Sequence, residues 1–394
     1  MIYPLLPVYF TRLVPAAAAA VYVGLMDGLA ESVSSLLKVY SGRWSDRLGK
    51  RKPLALAGYG LSTIARPLTA VATAGWHVVA FRFIDRIGKG VRTSPRDALI
   101  SDSAPADVRG TAFSFHRMMD HAGAVLGPLV AAVFLYALLG NTLLWRRGDA
   151  TPGPGEMHAL RLLFALALLP GIAGVLVFWR KVREVPVERV KDEADGRNED
   201  AGDAASPLPA KFYLFLGAVT LFTLGNSSDL FLIFYAQSRF GLGLGYVSAL
   251  WISLHLSKIL FSLPGGRMSD RYGRRAAILS GWAVYFLVYL AMPFTSSLRA
   301  VWGLLVLYGA YYGLTEGAER ALVADYVPSS HRGRAYGIYH GAVGFSALPA
   351  SLLFGVFWAE LGAKTAFLIG ASLAAAATLL LAGLVIADRG KRNG

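Results

Sequence analysis

The chain of 394 residues is 55% hydrophobic and only 16% charged, a composition that excludes a water-soluble globular protein of this length. Its formal net charge is +14, yet the basic residues cluster in short segments beside apolar runs, which argues against a nucleic-acid-binding surface. The chain has no cysteine, so disulfide bonds and thiol chemistry are also excluded.

The apolar runs predict an all-α membrane protein. A helix needs about 20 predominantly apolar residues to cross a bilayer. Residues 1–13, which we number span 1, make up only about half of that length, so we expect the native chain to begin upstream of Met1 and to complete this helix. Spans 2 to 12 are predicted at residues 17–40, 53–74, 76–95, 111–140, 158–179, 212–236, 242–264, 276–293, 301–323, 335–359 and 363–387.

A polar, charged stretch near the middle of the chain predicts a linker between two halves, because such a stretch cannot bury a core. We place an N-terminal bundle at residues 1–180, the linker at 181–208 and a C-terminal bundle at 209–394. Lys and Arg are enriched on alternate connections, and the opposite connections carry few, with Arg146 and Arg147 as the main exception. Positive charge marks the cytoplasmic face of a cell-membrane protein, so the linker and both termini are predicted to be cytoplasmic.

One ten-residue motif occurs twice, as G-R-W-S-D-R-L-G-K-R from Gly42 and as G-R-M-S-D-R-Y-G-R-R from Gly266, and the two copies start 224 residues apart. Each copy lies between two apolar runs, so we interpret it as a tight charged connection within a duplicated chain. Glycine allows a sharp reversal, aspartate can accept hydrogen bonds at the start of a neighbouring helix, and arginine can bridge carboxylates or lipid phosphates. The predicted gating residues are Gly42, Asp46, Arg47, Gly49, Arg51, Gly266, Asp270, Arg271, Gly273 and Arg275.

On this repeated motif and its twelve-span pattern, the chain resembles the major facilitator superfamily, whose signature lies between helices 2 and 3 and again between helices 8 and 9. The resemblance implies two six-helix bundles that rock around a central cavity, a secondary active transporter, and no cofactor. Gly123, Gly127 and Pro128 in span 5 resemble the antiporter motif of the family, in which small residues permit close helix packing, although an ordinary packing face is the alternative. The stretch from Arg82 to Asp97 resembles the family's fourth-helix motif.

Ionisable residues inside several spans predict a polar cavity, because a charge in the membrane must face water or a partner. Span 4 is the richest, although Arg92, Arg96 and Asp97 could instead lie at the membrane interface. The polar face of span 2 recurs in span 8. These two faces could form a binding surface, or their residues could form structural ion pairs. The candidate cavity residues are Asp27, Glu31, Arg82, Asp85, Arg86, Lys89, Arg117, Asp229, His255, Lys258, Glu316, Arg320 and His340.

These residues favour a proton-coupled transporter, because a carboxyl group shielded from water can exchange protons near neutral pH. The candidate proton carriers are Asp27, Glu31, Asp120 and Glu316. Export of a small amphipathic or drug-like compound is the leading hypothesis, and uptake of a small anionic solute is the alternative, based on the basic excess of span 4. An enzyme is the least favoured class, since zinc-protease, P-loop and G-x-S-x-G patterns are absent. We expect a monomer in the bilayer that handles a small molecule and protons, without a metal ion or nucleic acid.

Overall fold

The computed structural model describes residues 16–140, 153–186, 207–242 and 244–393 together with Tyr9 and Leu13; the side chains of residues 16–31, 244, 245 and 388–393 are not part of this description. Within these ranges the regular structure is helical. The α-helices are α1 Ala16–Leu48, α2 Lys52–Leu68, α3 Gly75–Ser103, α4 Arg109–Leu139, α5 Pro154–Leu166, α6 Leu168–Lys181, α7 Ala210–Gly225, α8 Asp229–Phe240, α9 Leu244–Tyr272, α10 Arg274–Ala291, α11 Leu298–Asp325, α12 Arg332–Leu361 and α13 Ala363–Asn393.

Spans 2 to 12 each correspond to one α-helix or to a pair. Span 6 is divided into α5 and α6, and span 7 is divided into α7 and α8. In the described residues, seven segments are long and apolar enough to cross a membrane: Ala106–Leu139, Pro154–Lys181, Ala210–Phe240, Tyr246–Tyr272, Arg274–Phe294, Ser329–Leu361 and Ala363–Ala387. The charged helix α3 is not among them. Span 1 lies outside the described residues except for Tyr9 and Leu13.

The repeated motif is mostly helical, so the prediction of a ten-residue connection is wrong for most of its length. Helix α1 continues to Leu48 and helix α9 continues to Tyr272. The reversal is confined to the residues around Gly49 and Gly273, whose φ angles of 62° and 98° lie in the region that favours glycine. We call the membrane side that carries these two turns the motif side, and the opposite side the far side.

Two helix pairs join the bundles in a pseudo-symmetric way: α1 packs against α12, and α9 packs against α4. Both contacts depend on glycine. A Cβ atom at Gly42 would overlap the carbonyl oxygen of Gly333, and a Cβ atom at Gly266 would lie 2.7 Å from the side chain of Ser114. Glycine at these positions therefore sets how closely the bundles approach on the motif side.

The core of the C-terminal bundle is aromatic and tightly filled. Trp282, Tyr285, Tyr289 and Tyr308 are fully buried, and the ring of Phe222 stacks on Trp282 with centroids 4.4 Å apart. The described core of the N-terminal bundle is smaller and lies near its far side, around Leu160, Leu163 and Phe164. The two halves thus share a helix arrangement but fill their interiors differently.

Candidate functional site

Asp46, in the last turn of α1, caps the first turn of α12 in the opposite bundle. Its carboxylate accepts hydrogen bonds from the backbone N–H groups of Gly333 at 3.0 Å and Arg334 at 2.6 Å. The buried guanidinium of Arg51 donates to the same carboxylate at 3.0 Å. The first N–H groups of a helix have no partner within the helix, and a negative charge there is stabilising. Asp46 therefore links the two bundles by a charge-assisted cap.

Asp270 forms the equivalent cap at the start of α4. It accepts hydrogen bonds from the backbone N–H groups of Gly110 at 2.9 Å and Thr111 at 2.8 Å, and from the hydroxyl of Thr111 at 2.6 Å. Arg274 forms an ion pair with Asp270. The expectation that both aspartates accept bonds at a neighbouring helix start is confirmed in this geometry; their role in gating stays a prediction.

Burial changes the acid strength of the Asp46 carboxyl on the motif side. Loss of solvent raises its pKa to about 6, while Arg51 and the two backbone donors act in the opposite direction without reversing the shift. Proton binding at this cap is therefore stronger than at an exposed aspartate.

The other predicted motif residues have different surroundings. Arg47 and Arg271 are exposed, and the guanidinium of Arg271 lies 5.4 Å from the ring centre of Tyr272. The guanidinium of Arg275, which aligns with Arg51, lies 5.8 Å from the ring centre of Tyr326. Arg274, one helical turn from Asp270, forms the ion pair with that aspartate. The gating role of Arg275 stays a prediction.

Further ion pairs surround the caps, and none of them was predicted from the sequence. Asp102 at the end of α3 pairs with Arg51 at 2.5 Å and with Arg332 at 2.6 Å. Asp325 at the end of α11 pairs with Arg109 at 3.2 Å and with Arg274. The sequence offers one signal for these two aspartates, which is their position: each lies a few residues before one of the capped helices.

Glu316 holds the two bundles together nearer the middle of the molecule. Arg117 on α4 donates twice to the Glu316 carboxylate on α11, at 3.0 and 2.8 Å, and Nε2 of His121 lies 3.0 Å from it. Arg117 also contacts Asp120 at 2.8 Å. Nδ1 of His116 is 3.8 Å from Asp120, so His116 is farther from this carboxylate than Arg117 is. Arg117, Asp120 and Glu316 thus form one network across the interface.

Asp97 forms a second link between the bundles. Nε2 of His340 on α12 lies 2.7 Å from its carboxylate, and Nε of Arg320 on α11 lies 3.6 Å away. Arg96 donates to Asp97 at 2.7 Å. Asp97 is fully buried between the helices, so its side chain does not reach solvent. His340 and Arg320 therefore lie close together, as expected for cavity residues, but both contact the carboxylate of Asp97.

Asp229 and Lys258 form an ion pair in the C-terminal bundle. Their side chains are 2.6 Å apart, and the hydroxyls of Tyr308 and Tyr312 donate to Asp229 at 3.0 and 2.8 Å. Asp229 begins α8, directly after the break at residues 226–228. His255, one turn before Lys258, has its ring 5.6 Å from that of His121, so this group reaches the other bundle.

The predicted span 4 residues line a pocket inside the N-terminal bundle, which we call the N-bundle pocket. This cavity of about 500 Å³ lies between α2, α3, α4 and the junction of α5 and α6. Its lining residues are Thr63, Arg66, Thr69, Val78, Phe81, Arg82, Asp85, Arg86, Gly123, Gly127, Ala167, Pro170 and Gly171.

Asp85 turns toward α2, where Nε of Arg66 donates to it at 2.9 Å, and Arg82, Asp85 and Arg86 line the N-bundle pocket. Their role in a central cavity between the bundles stays a prediction. One expectation for span 5 is corrected. Close packing at Gly123 is wrong, because a Cβ atom there would meet nothing within 4 Å. Helix α4 continues through Pro128 without a break.

Three further candidates lie on α1 and α3. The side chains of Asp27 and Glu31 lie outside the described residues, although the backbone of α1 is helical there. Lys89 is half-buried on α3, and its carbonyl oxygen accepts a hydrogen bond from the Thr93 hydroxyl at 2.6 Å. In the part of the chain that the structure describes, no group of His, Asp and Glu is arranged to hold a metal ion.

Two pseudo-symmetric helical bundles, joined by caps and buried ion pairs along one interface, define a polytopic membrane transporter. The chain belongs to the major facilitator superfamily, whose family model matches residues 1–257 and 253–394. It is 31% identical over 388 residues to an uncharacterised transporter of this superfamily from Methanocaldococcus jannaschii, covering 97% of this chain and 89% of the relative.

More distant relatives share most of the chain. The tetracycline resistance protein, class D, of Salmonella ordonez is 22% identical, over 95% of this chain and 90% of that protein. The crystal structure of the human organic anion transporter MFSD10 superposes with a TM-score of 0.75 at 17% identity, covering 92% of this chain and 84% of that one. The structural match supports the fold.

Proposed function

We propose that this protein is a proton-coupled secondary transporter of the cell membrane that exports small amphipathic or drug-like compounds by alternating access. It acts as a monomer with its termini on the cytoplasmic side. The observation that carries the proposal is the Glu316 network, in which one carboxylate on α11 binds both Arg117 and His121 of the other bundle. A proton-sensitive contact between the bundles is what proton-driven rocking requires.

Protonation of Glu316 would remove the negative charge that Arg117 and His121 bind, and so weaken the link between the bundles. A buried arginine that loses its carboxylate is costly unless it has another partner. Arg117 has one, because Asp120 lies one turn away on α4 at 2.8 Å. Proton binding at Glu316 therefore lets Arg117 stay paired within its own bundle while the interface opens.

The caps support a direction for the cavity. Asp46, Asp270, Asp102 and Asp325 all form bundle contacts on the motif side. Positive charge is concentrated there, so we infer that the motif side is cytoplasmic and closed in this conformation. The substrate path would then be open toward the far side, as an exporter requires when it releases its cargo.

Export of amphipathic compounds is supported by the name of one relative, the tetracycline resistance protein of Salmonella ordonez, which spans nearly the whole chain. Uptake of a small anionic solute is the second candidate. It is favoured by the basic residues of α3, where Arg82, Arg86 and Lys89 outnumber Asp85.

Glu316→Gln tests the coupling, and Glu319→Gln is the matched control. Glu319 lies one turn further along α11, but the Trp282 indole and the Tyr339 hydroxyl, both of the same bundle, donate to it. The assay is transport of tetracycline and ethidium into proteoliposomes under an imposed pH gradient. We expect Glu316→Gln to abolish the dependence on the gradient and the control to retain it.

Two results would contradict the proposal. Equal gradient dependence in the wild-type protein and Glu316→Gln would show that Glu316 is not the coupling acid. Transport of benzoate without transport of tetracycline or ethidium would favour the anionic substrate class.

A further inference from the structure

Several contacts of the motif side converge on the guanidinium of Arg51. It donates to Asp46 at 3.0 Å, pairs with Asp102 at 2.5 Å and donates to the carbonyl oxygen of Ser329 in the opposite bundle. The Arg51 side chain is fully buried. Because the donors of a guanidinium lie in one rigid plane, these contacts require a definite placement of Arg51.

The backbone of Arg51 is held from outside the motif by Glu184, three residues after the end of α6. The Glu184 carboxylate accepts hydrogen bonds from the backbone N–H groups of Arg51 at 2.8 Å and Lys52 at 2.9 Å. In return, Nζ of Lys52 donates to the carbonyl oxygen of Trp179 in α6 at 2.8 Å. The first N–H groups and the last carbonyl groups of a helix lack partners within it. The start of α2 and the end of α6 therefore cap each other.

The second motif copy shows that the motif alone does not place this arginine. Each copy has two adjacent basic residues after the turn glycine, Lys50 and Arg51 in the first and Arg274 and Arg275 in the second. The motif aspartate pairs with the second of the two in the first copy, and with the first of the two in the second copy. Helix α2 begins at Lys52, after both basic residues, whereas α10 begins at the first of them. A contact from outside the motif is therefore needed to select Arg51.

We propose that Glu184 is a positioning residue for closure of the motif side: by fixing the backbone at Arg51, it directs the Arg51 guanidinium to Asp46 and Asp102. Glu184 belongs to the segment predicted as the linker, so the start of the linker takes part in the closed contact. We rely here on the alternating access of the proposed function, but on neither its substrate nor Glu316. The test below does not require transport, so either proposal can fail while the other holds.

Protonation of Asp46 reports where the Arg51 guanidinium lies. Arg51 lowers the pKa of Asp46 against the effect of burial, so displacement of Arg51 should raise that pKa above about 6. Removal of the negative charge of Glu184 would by itself lower it, so the direction of the change separates positioning from a simple charge effect. The charged or titratable side chains on the segments that meet at this cap are Arg51, Asp102 on α3, and His331, Arg332 and Arg334 at the start of α12.

The experiment is an infrared pH titration of the purified protein, which follows the carboxyl C=O band that Asp46→Asn abolishes. Arg51→Gln should raise the pKa of Asp46 by about 1 to 3 pH units, the usual effect of a lost opposite charge. Glu184→Ala should raise it by about 1 pH unit. The double variant should match Arg51→Gln alone, because two residues that act through one group are not additive.

Two controls separate this role from a general loss of stability or charge. Glu156→Ala removes another glutamate that accepts at a helix start, from the N–H of Gly153 at 2.8 Å, but on the far side. Lys50→Gln removes the exposed positive charge next to Arg51. Glu156→Ala should leave the pKa of Asp46 unchanged, and Lys50→Gln should change it much less than Arg51→Gln does.

Glu184→Gln is a milder variant in case Glu184→Ala does not fold. It keeps one acceptor oxygen and the size of the side chain, and it should raise the pKa of Asp46 in the same direction. An unchanged or lowered pKa in the folded Glu184 variants would overturn the proposal. Additive effects in the double variant would also overturn it, because Glu184 would then not act through Arg51.

Discussion

At the scale of single residues, Asp46 combines two effects that act in opposite directions. Its charge is held by Arg51 and by the N–H groups of Gly333 and Arg334, yet its burial disfavours that charge. Burial is the larger effect, and it raises the pKa to about 6. We expect Asp46 to become hydrated when the bundles separate, so that its pKa falls toward the ordinary value of 3.8. The conformation that is closed on the motif side therefore binds a proton more tightly than the open one.

The first prediction is a pH dependence of this closed conformation. Because the pKa is raised in the closed state, lowering the pH from 7 to 5 should increase the closed population, and this stabilisation should be lost as the pH rises through about 6. Spin labels on Arg43→Cys and Ser330→Cys, introduced into a chain without cysteine, report the distance across the Asp46 cap. The closed population should respond to pH in the wild type but much less in Asp46→Asn.

Asp107→Asn is the control for this experiment, because it removes an exposed aspartate near the capped end of α4. Its pH response should match that of the wild type. An increase in the open population of the wild type at pH 5 would show that the linkage has the opposite sign.

The same scale shows what the sequence could predict. The two aspartates were identified as acceptors because the chemistry of helix starts is local and general. Asp102 has only a positional signal, a place shortly before a capped helix, and its partner Arg332 could not be identified because it lies 230 residues away. Likewise, the ion pair of Asp270 in the second cap is formed with Arg274, and the sequence offers two adjacent arginines after Gly273 without distinguishing between them.

At the scale of helices, the close contact between α1 and α12 depends on the absence of a side chain at Gly42. A Cβ atom there would overlap Gly333, whose own position is set by the Asp46 cap. The sequence motif assigns Gly42 to a chain reversal, whereas the structure places it within a continuous helix. Only the packing of two helices from different bundles reveals that role. The break before α8 had a visible signal, the polar residues Asn226, Ser227 and Ser228 within an apolar run.

The second prediction concerns this contact. Gly42→Ala should separate α1 from α12 and lower the free energy of unfolding by about 1 to 3 kcal/mol, the usual effect of overpacking. Gly60→Ala is the matched control, because Gly60 lies in α2 and a Cβ atom there meets nothing within 4 Å. The control should be neutral or slightly stabilising, since alanine favours a helix. Thermal unfolding in detergent measures both, and equal stability of the two variants would contradict the packing argument.

At the scale of the whole molecule, the fold was predictable and the placement of charge was not. Span length, loop charge and the repeated motif are properties of neighbouring residues, so they indicate two bundles without knowledge of tertiary contacts. Whether Asp85 faces the other bundle or its own depends on Arg66 of α2. Helical periodicity cannot decide between these two directions, because it gives the face of a helix but not its neighbour.

The last prediction follows from the symmetry of the two caps. If the bundles rock as rigid bodies, the Asp46 and Asp270 caps break in the same step, although they join different helix pairs. Asp46→Ala removes the acceptor of its own cap only, at a cost of about 1 kcal/mol, the usual effect of a lost capping interaction. In a concerted transition it should nevertheless lengthen the distance between labels on Asp107→Cys and Arg267→Cys, which lie near the Asp270 cap. Asp270→Ala should in turn lengthen the distance between labels at positions 43 and 330. A change confined to the mutated cap would show that the two contacts open independently, and rigid-body rocking would then not describe this protein.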